Sequence, residues 1–147
     1  MYGHQRVLAG SSLLGLVLCL AATAGCGSQH AKVVSGAVTC GSQPVNMGQV
    51  RFVPIEETKG PVCLATIADG KYRVDTRGGV PLGTYRVEVM AEKKTGRKVQ
   101  GRVGLETAMI DEVVRLGPAV YAGSRSPLKL EVTPDFEGIF DINLPSQ

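Results

Sequence analysis

Few side chains in this sequence could do chemistry: cysteines, histidine, scattered carboxylates and one cluster of cations. Histidine is the scarcest. Beyond residue 25 there is only His30, in a polar stretch, so neither a histidine-based triad nor a two-histidine metal site can be assembled within one chain. Cys40 and Cys63 could serve as nucleophiles only with a neighbouring base or a lowered pKa, and nothing adjacent in sequence supplies either. In an oxidising compartment the two could instead pair, adding about 3 kcal/mol by restricting the unfolded chain. Two buried free thiols are the alternative. Asp69 beside Gly70 offers one calcium ligand where six to eight oxygens are wanted. Asp111-Glu112, and Asp135 with Glu137, read more simply as surface turns. Lys93, Lys94, Arg97, Lys98 and Arg102 gather around Thr95-Gly96. Such a basic tip can touch anionic headgroups or acidic polysaccharide; it also blunts a strand edge against aggregation, the simpler reading. No enzyme activity, cofactor or metal is expected from this inventory.

The first twenty-five residues read as an export signal. Arg6 is their only formal charge, and the apolar run from Val7 to Ala24 is densest over Leu13–Ala22. That core is short of the roughly 20 apolar residues of a transmembrane helix, and it ends in small residues of the kind signal peptidases cut. The small-residue site, Thr23-Ala24-Gly25-Cys26, resembles the bacterial lipobox, with threonine where leucine is usual. The resemblance implies that Cys26 becomes the first residue of the mature chain and carries acyl chains such as palmitate. Each buried methylene adds about 0.8 kcal/mol, so two or three chains anchor stably. An ordinary cleaved signal and an uncleaved anchor are the alternatives. The chain then divides into a signal (1–25), a lipid-anchored tether (26–31) and one domain (32–147). Cleavage removes Arg6 and no acid, so the formal charge falls from +3 to about +2, too weak to argue for nucleic acid. Export across the inner membrane and a lipid anchor in the cell envelope, outer membrane included, are the expected address. A monomer touching membrane through its lipid, and envelope proteins or polysaccharide through its domain, is the expected state.

The elements that must position these residues follow from period-two hydrophobicity. Val34, Gly36 and Val38 share one face of a strand, and Val50 and Phe52 one face of the next. Pro54 marks a strand end or an edge. Val62–Ile67 is apolar on both sides, as a central strand would be. Asp69-Gly70 is a tight-hairpin turn, with Tyr72–Asp75 returning. Tyr85, Val87, Val89 and Ala91 form the strongest alternation in the chain. Lys93–Gly96 then reads as a turn into a further strand, 98–103. The stretch 105–116 fits either a helix ending at Gly117-Pro118 or a covering loop with a short strand at 112–115; the loop is preferred. Leu128, Leu130 and Val132, then Phe140, Ile142 and Leu144, face inward in the last two strands. Seven or eight short strands and no long helix specify an all-β, antiparallel sandwich of the prealbumin-like or immunoglobulin-like kind. Tyr72 and Tyr85, each beside a glycine turn, are expected as corner residues with buried rings and hydroxyls on backbone.

Several of these residues also match a known pattern. Val34–Thr39, Gly48–Pro54, Thr66 with Asp69-Gly70-Lys71-Tyr72, and Pro81–Val87 resemble the carboxypeptidase regulatory-like, or transthyretin-like, domain. Gly117-Pro118 through Tyr121, Ser126-Pro127-Leu128 and Phe140–Leu144 are similar to small lipoproteins of this type from planctomycete bacteria. Ile67, Cys40 and Ala119-Val120 depart from that pattern. The resemblance implies an accessory or structural sandwich without chemistry of its own. It also brings to mind the related hydroxyisourate hydrolase, but the histidines and the closing Tyr-Arg-Gly-Ser of that enzyme are absent from a chain ending Leu144-Pro145-Ser146-Gln147. The expected function is a structural or protein-interaction module of the envelope; a glycan- or small-ligand-binding lipoprotein is the alternative, and an unrecognised enzyme the more distant one.

Overall fold

A computed structural model describes residues 30–146; the signal and Cys26 lie outside the described residues. The strands are β1 (Ala31–Lys32), β2 (Val34–Cys40), β3 (Gln43–Pro44), β4 (Met47–Pro54), β5 (Cys63–Ala68), β6 (Lys71–Val74), β7 (Val80–Pro81), β8 (Gly83–Val103), β9 (Glu106–Leu116), β10 (Lys129–Val132) and β11 (Ile142–Leu144). Eight of them have three or more residues. One ladder runs β10-β8-β4-β5-β6-β2-β11. Between β5 and β6 it is held by a single pair, Ala68 with Lys71, across a turn in which Asp69 and Gly70 both have positive φ. That is the twist-matched geometry an Asp-Gly pair favours. The ladder doubles over there, giving one layer of β10-β8-β4-β5 and another of β6-β2-β11. The fold is an all-β sandwich.

The core lies between the layers. Val50 and Phe52 of β4, Ala65 and Ile67 of β5, and Tyr85, Val87, Val89 and Ala91 of β8 face Val34 and Val38, Tyr72 and Val74, and Ile142 and Leu144. The rings of Phe52 and Tyr72, from opposite layers, sit 6.0 Å apart between centroids, a spacing that favours tilted aromatic pairs. The two tyrosines are the expected corner residues. Tyr85 is fully buried and donates its hydroxyl to the Pro81 carbonyl at 2.9 Å. Tyr72 donates to the Phe140 carbonyl at 2.7 Å. Gly36 pairs with Tyr72 in register, and a Cβ there would run into that same Phe140 carbonyl, so the last segment can close on β2 only over a glycine.

Some expectations need correction. β11 joins β2 in parallel, Ile142 opposite Val38, where the sequence suggested antiparallel strands throughout. Leu64 is half exposed, so β5 buries one face rather than two. Thr95-Gly96 is not a turn, and 105–116 is neither helix nor loop: β8 runs on for 21 residues and β9 returns over 11. Ala31, assigned to the tether, pairs with Pro81, and the His30 carbonyl accepts the Leu82 amide.

The registers fix the polarity of the sandwich. One end, here called basal, gathers His30 beside Leu82, the connections after β4 and β6, and the end of β10, where Val132 pairs with Gly83. The distal end holds the Asp69-Gly70 turn, the end of β2 at Cys40, and the pair Ala91 with Leu116.

Candidate functional site

At that distal end β4 stops, with Met47 opposite Glu92, yet β8 continues. Beyond it β9 pairs with β8 as far as Val103 and Glu106, and no residue from Lys93 to Arg115 is buried. Along β9 the register from Arg115, opposite Glu92, to Glu106, opposite Val103, is nine steps, which carries the arm about 30 Å past Glu92. The result is a two-stranded arm projecting from the sandwich.

Local sequence accounts for its shape. Gly104, with φ near +64°, and Leu105 form the two-residue tip, matching a hairpin turn with glycine first. Between Lys94 and Lys98 the register slips, so Thr95, Gly96 and Arg97 bulge opposite Glu112 alone. Gly96 takes the positive φ this needs. The bulge is tied from β9. Asp111 accepts from the Lys94 ammonium at 2.7 Å and lies 3.6 Å from that of Lys98, while the Thr95 hydroxyl donates to the Glu112 carboxylate at 2.6 Å. The hydrogen bond and charge of Lys94, then the charge of Lys98, hold the Asp111 carboxyl below its ordinary pKa.

Directly opposed residues share a face, so the register sorts the arm's side chains. The face that continues from Ala91 and Leu116 carries Val99 with Ile110, Gly101 with Ala108 and, towards the tip, Val103 opposite Glu106, with Val114 opposite Lys93 nearer the root and Glu112 at the bulge. The other carries Lys94, Lys98, Gln100 and Arg102 against Val113, Asp111, Met109 and Thr107. The sandwich's inner apolar face thus extends into solvent with no layer over it. On that face Val99 is 37%, Ile110 38%, Val114 44% and Val103 59% exposed, and Leu105, at the tip, is 94% exposed. Val99, Ile110, Val103 and Leu105 thus form an exposed apolar strip between Glu112 and Glu106.

The residues that the sequence singled out are placed as follows. Lys93, Lys94, Arg97 and Lys98 do cluster, around the mid-arm bulge rather than a tip. Cys40 and Cys63 are both free thiols. They cannot meet: β2 and β5 run the same way, and Cys40 ends the first while Cys63 begins the second, which separates them by the length of the sandwich, far beyond the ~7 Å reach of a disulfide. Burial pushes the Cys63 thiol up from its ordinary value, and its sulfur lies 3.7 Å from the Pro61 carbonyl and 3.9 Å from that of Gly79; a thiol held so is a poor nucleophile. His30 is exposed at the basal end. Cys26 lies outside the described residues.

Two clefts flank these groups. A distal one of about 450 Å³ sits at the arm's root between Cys40–Gln43, Arg115–Gly117 and Ser146. A basal one of about 360 Å³ lies among Pro61–Leu64, Val74, Arg77 and Pro81. Among the described residues no three of His, Cys, Asp and Glu are grouped to hold a metal ion, and no helix is long and apolar enough to cross a membrane.

The arm's length and its bare apolar face were missed in the sequence. The signal was present: Val99, Gly101 and Val103 continue the alternation of Val89 and Ala91 beyond a glycine that bulges instead of turning. No family model, curated protein or solved structure matches the chain.

Proposed function

We propose that this chain is a non-enzymatic envelope module, exported and lipid-anchored at Cys26, whose sandwich is a spacer and whose arm makes contact with a partner. The observation that carries the reading is polarity: the chain enters at the basal end, with His30 bonded to Leu82, and the arm leaves at the distal end from Ala91 and Leu116. Three residues lie between Cys26 and His30, four Cα steps with a reach of about 14 Å at most. An acylated Cys26 would hold the basal end against the membrane and point the arm away from it. The sandwich with two corner tyrosines also supports the resemblance to carboxypeptidase regulatory-like lipoproteins, in which such a domain is accessory. On this reading the protein is monomeric until its arm is engaged, and it faces the periplasm or the cell surface from the outer membrane.

Two measurements test it. Cys26→Ser is expected to abolish fatty-acid labelling and release the protein from membranes; membrane association unchanged by the substitution overturns the anchor. A photo-cross-linking residue at Val103 or Met109 is expected to capture neighbours in cells, whereas one at exposed Thr66 on the sandwich is not. Equal capture from both positions, or none from the arm, overturns the arm as the contact surface.

A further inference from the structure

Past Glu92, β8 has β9 on one side and, among the described residues, no strand on the side that β4 occupies below. That open edge spans residues 93–103, which carry five cations, Lys93, Lys94, Arg97, Lys98 and Arg102, and no carboxylate. Resting on the interaction reading above, we propose that this edge takes up an extended segment of a partner protein as a third arm strand, a segment in which acidic and apolar residues alternate. An exposed edge offers unpaired amides and carbonyls to an added strand, and the side chains of alternate residues select which strand. Here one face of the edge presents Lys98 and Arg102 and the other Val99 and Val103. A strand set beside them meets cations with its acids and widens the Val99–Ile110 strip with its apolar residues. A two-stranded ribbon is marginal in water, and a third strand with an apolar face stabilises it.

Charge and topology favour this occupant over two others. Pairing the β8 edges of two copies sets cation against cation. Placing β9 of a second copy there with the arms aligned brings two sandwich bodies within about 10 Å, two strand spacings, which is less than the width of either. An anionic bilayer is disfavoured because Glu106, Asp111 and Glu112 share the arm, and because an anchored chain enters at the far end.

The probe is a capped ten-residue peptide alternating glutamate and valine, titrated onto the purified full-length protein in non-ionic detergent. Saturable binding is expected, weakened about tenfold when salt rises from 0.05 to 0.5 M. It should weaken at least as much in Lys98→Glu/Arg102→Glu, while the melting temperature of the sandwich holds because both side chains are exposed. The same peptide N-methylated at alternate residues should not bind, since it cannot complete a ladder. Absence of binding, or equal binding of the N-methylated peptide, overturns the proposal. So does binding to phosphatidylglycerol vesicles that is lost in Leu105→Asp and not displaced by the peptide, or an arm-dependent dimer in sedimentation. Peptide failure with persistent cross-links from Val103 in cells sinks the acidic strand alone; loss of both sinks the interaction reading as well.

Discussion

β8 is one strand living in two environments. From Tyr85 to Ala91 it lies between β4 and the β10–β9 side of its sheet, with Tyr85, Val87 and Ala91 fully buried. From Lys93 to Val103 the same alternation continues with, among the described residues, a neighbouring strand on one side only and no layer across the apolar face. Strand-forming residues in period two are therefore enough to make a ladder, but a second apolar layer is needed to make a core. The first half spends its apolar face on folding; the second keeps it available for contact. If that division holds, damage to the first half should cost stability, and damage to the second should cost binding alone.

The largest effect belongs at Tyr85. Tyr85→Ala removes a fully buried ring and is expected to destabilise the protein by about 3–4 kcal/mol in denaturant unfolding. Tyr85→Phe isolates the hydroxyl bonded to Pro81 and should cost about 1 kcal/mol. A loss near zero for the alanine variant would place Tyr85 outside the core. Glu88 comes next. It is buried on the outer face of the same half-strand, with Arg86 at 2.9 Å and Arg51 at 3.2 Å. Both arginines keep partial contact with water, so Glu88→Gln is expected to cost about 2 kcal/mol, within the range for hydrogen bonds to charged groups. A change within 0.5 kcal/mol, the ordinary surface range, would show that the clamp is dispensable.

The same half-strand should also give the protein an alkaline limit. Burial pushes the Tyr85 hydroxyl up from 10.0 to about 12, and burial with the Asp141 charge raises Tyr72 further. A phenol whose pKa is raised by folding stabilises the fold fully below its unfolded pKa of 10 and loses that contribution as pH climbs towards the folded value. Stability should therefore fall from about pH 10 upward, with phenolate absorbance arriving together with unfolding. Titration of Tyr72 or Tyr85 near 10 while the fold persists would contradict the buried rings.

The sandwich was largely legible in the sequence because its signals are local. Asp69-Gly70 demands positive φ and received it; Phe52, Tyr85 and Val132 sit at alternating positions whose burial any two-layer packing satisfies. The parallel closure of β11 was not legible, since alternation in Ile142–Leu144 says which face is buried and nothing about direction. The arm failed differently. Thr95-Gly96 and Gly104-Leu105 are both turn-forming pairs flanked by strand, and only the register of β9 against β8, with Asp111 tied to Lys94 and Lys98, decides that the first bulges and the second reverses the chain. A choice made by long-range pairing leaves no mark in a short window of sequence.

That tie supplies the smallest expected effect and the sharpest test of the arm. Asp111 is exposed, and Lys94 holds its carboxyl below the ordinary range, so whatever it contributes is present above the unfolded pKa near 3.8 and is lost as pH falls through the folded value. Asp111→Asn should leave the global melt within 0.5 kcal/mol of the parent, as a surface substitution does, because no residue at the bulge is buried. It should nonetheless speed amide exchange in Lys94–Lys98 and Asp111–Val113, since releasing two lysines removes the ion pairs that cross the bulge and leaves it tied by the Thr95–Glu112 hydrogen bond. Unchanged exchange would mean that the hairpin is shaped by its backbone alone. A fall in the global melt would mean that the arm and the sandwich unfold as one unit, and the division drawn along β8 would then be wrong.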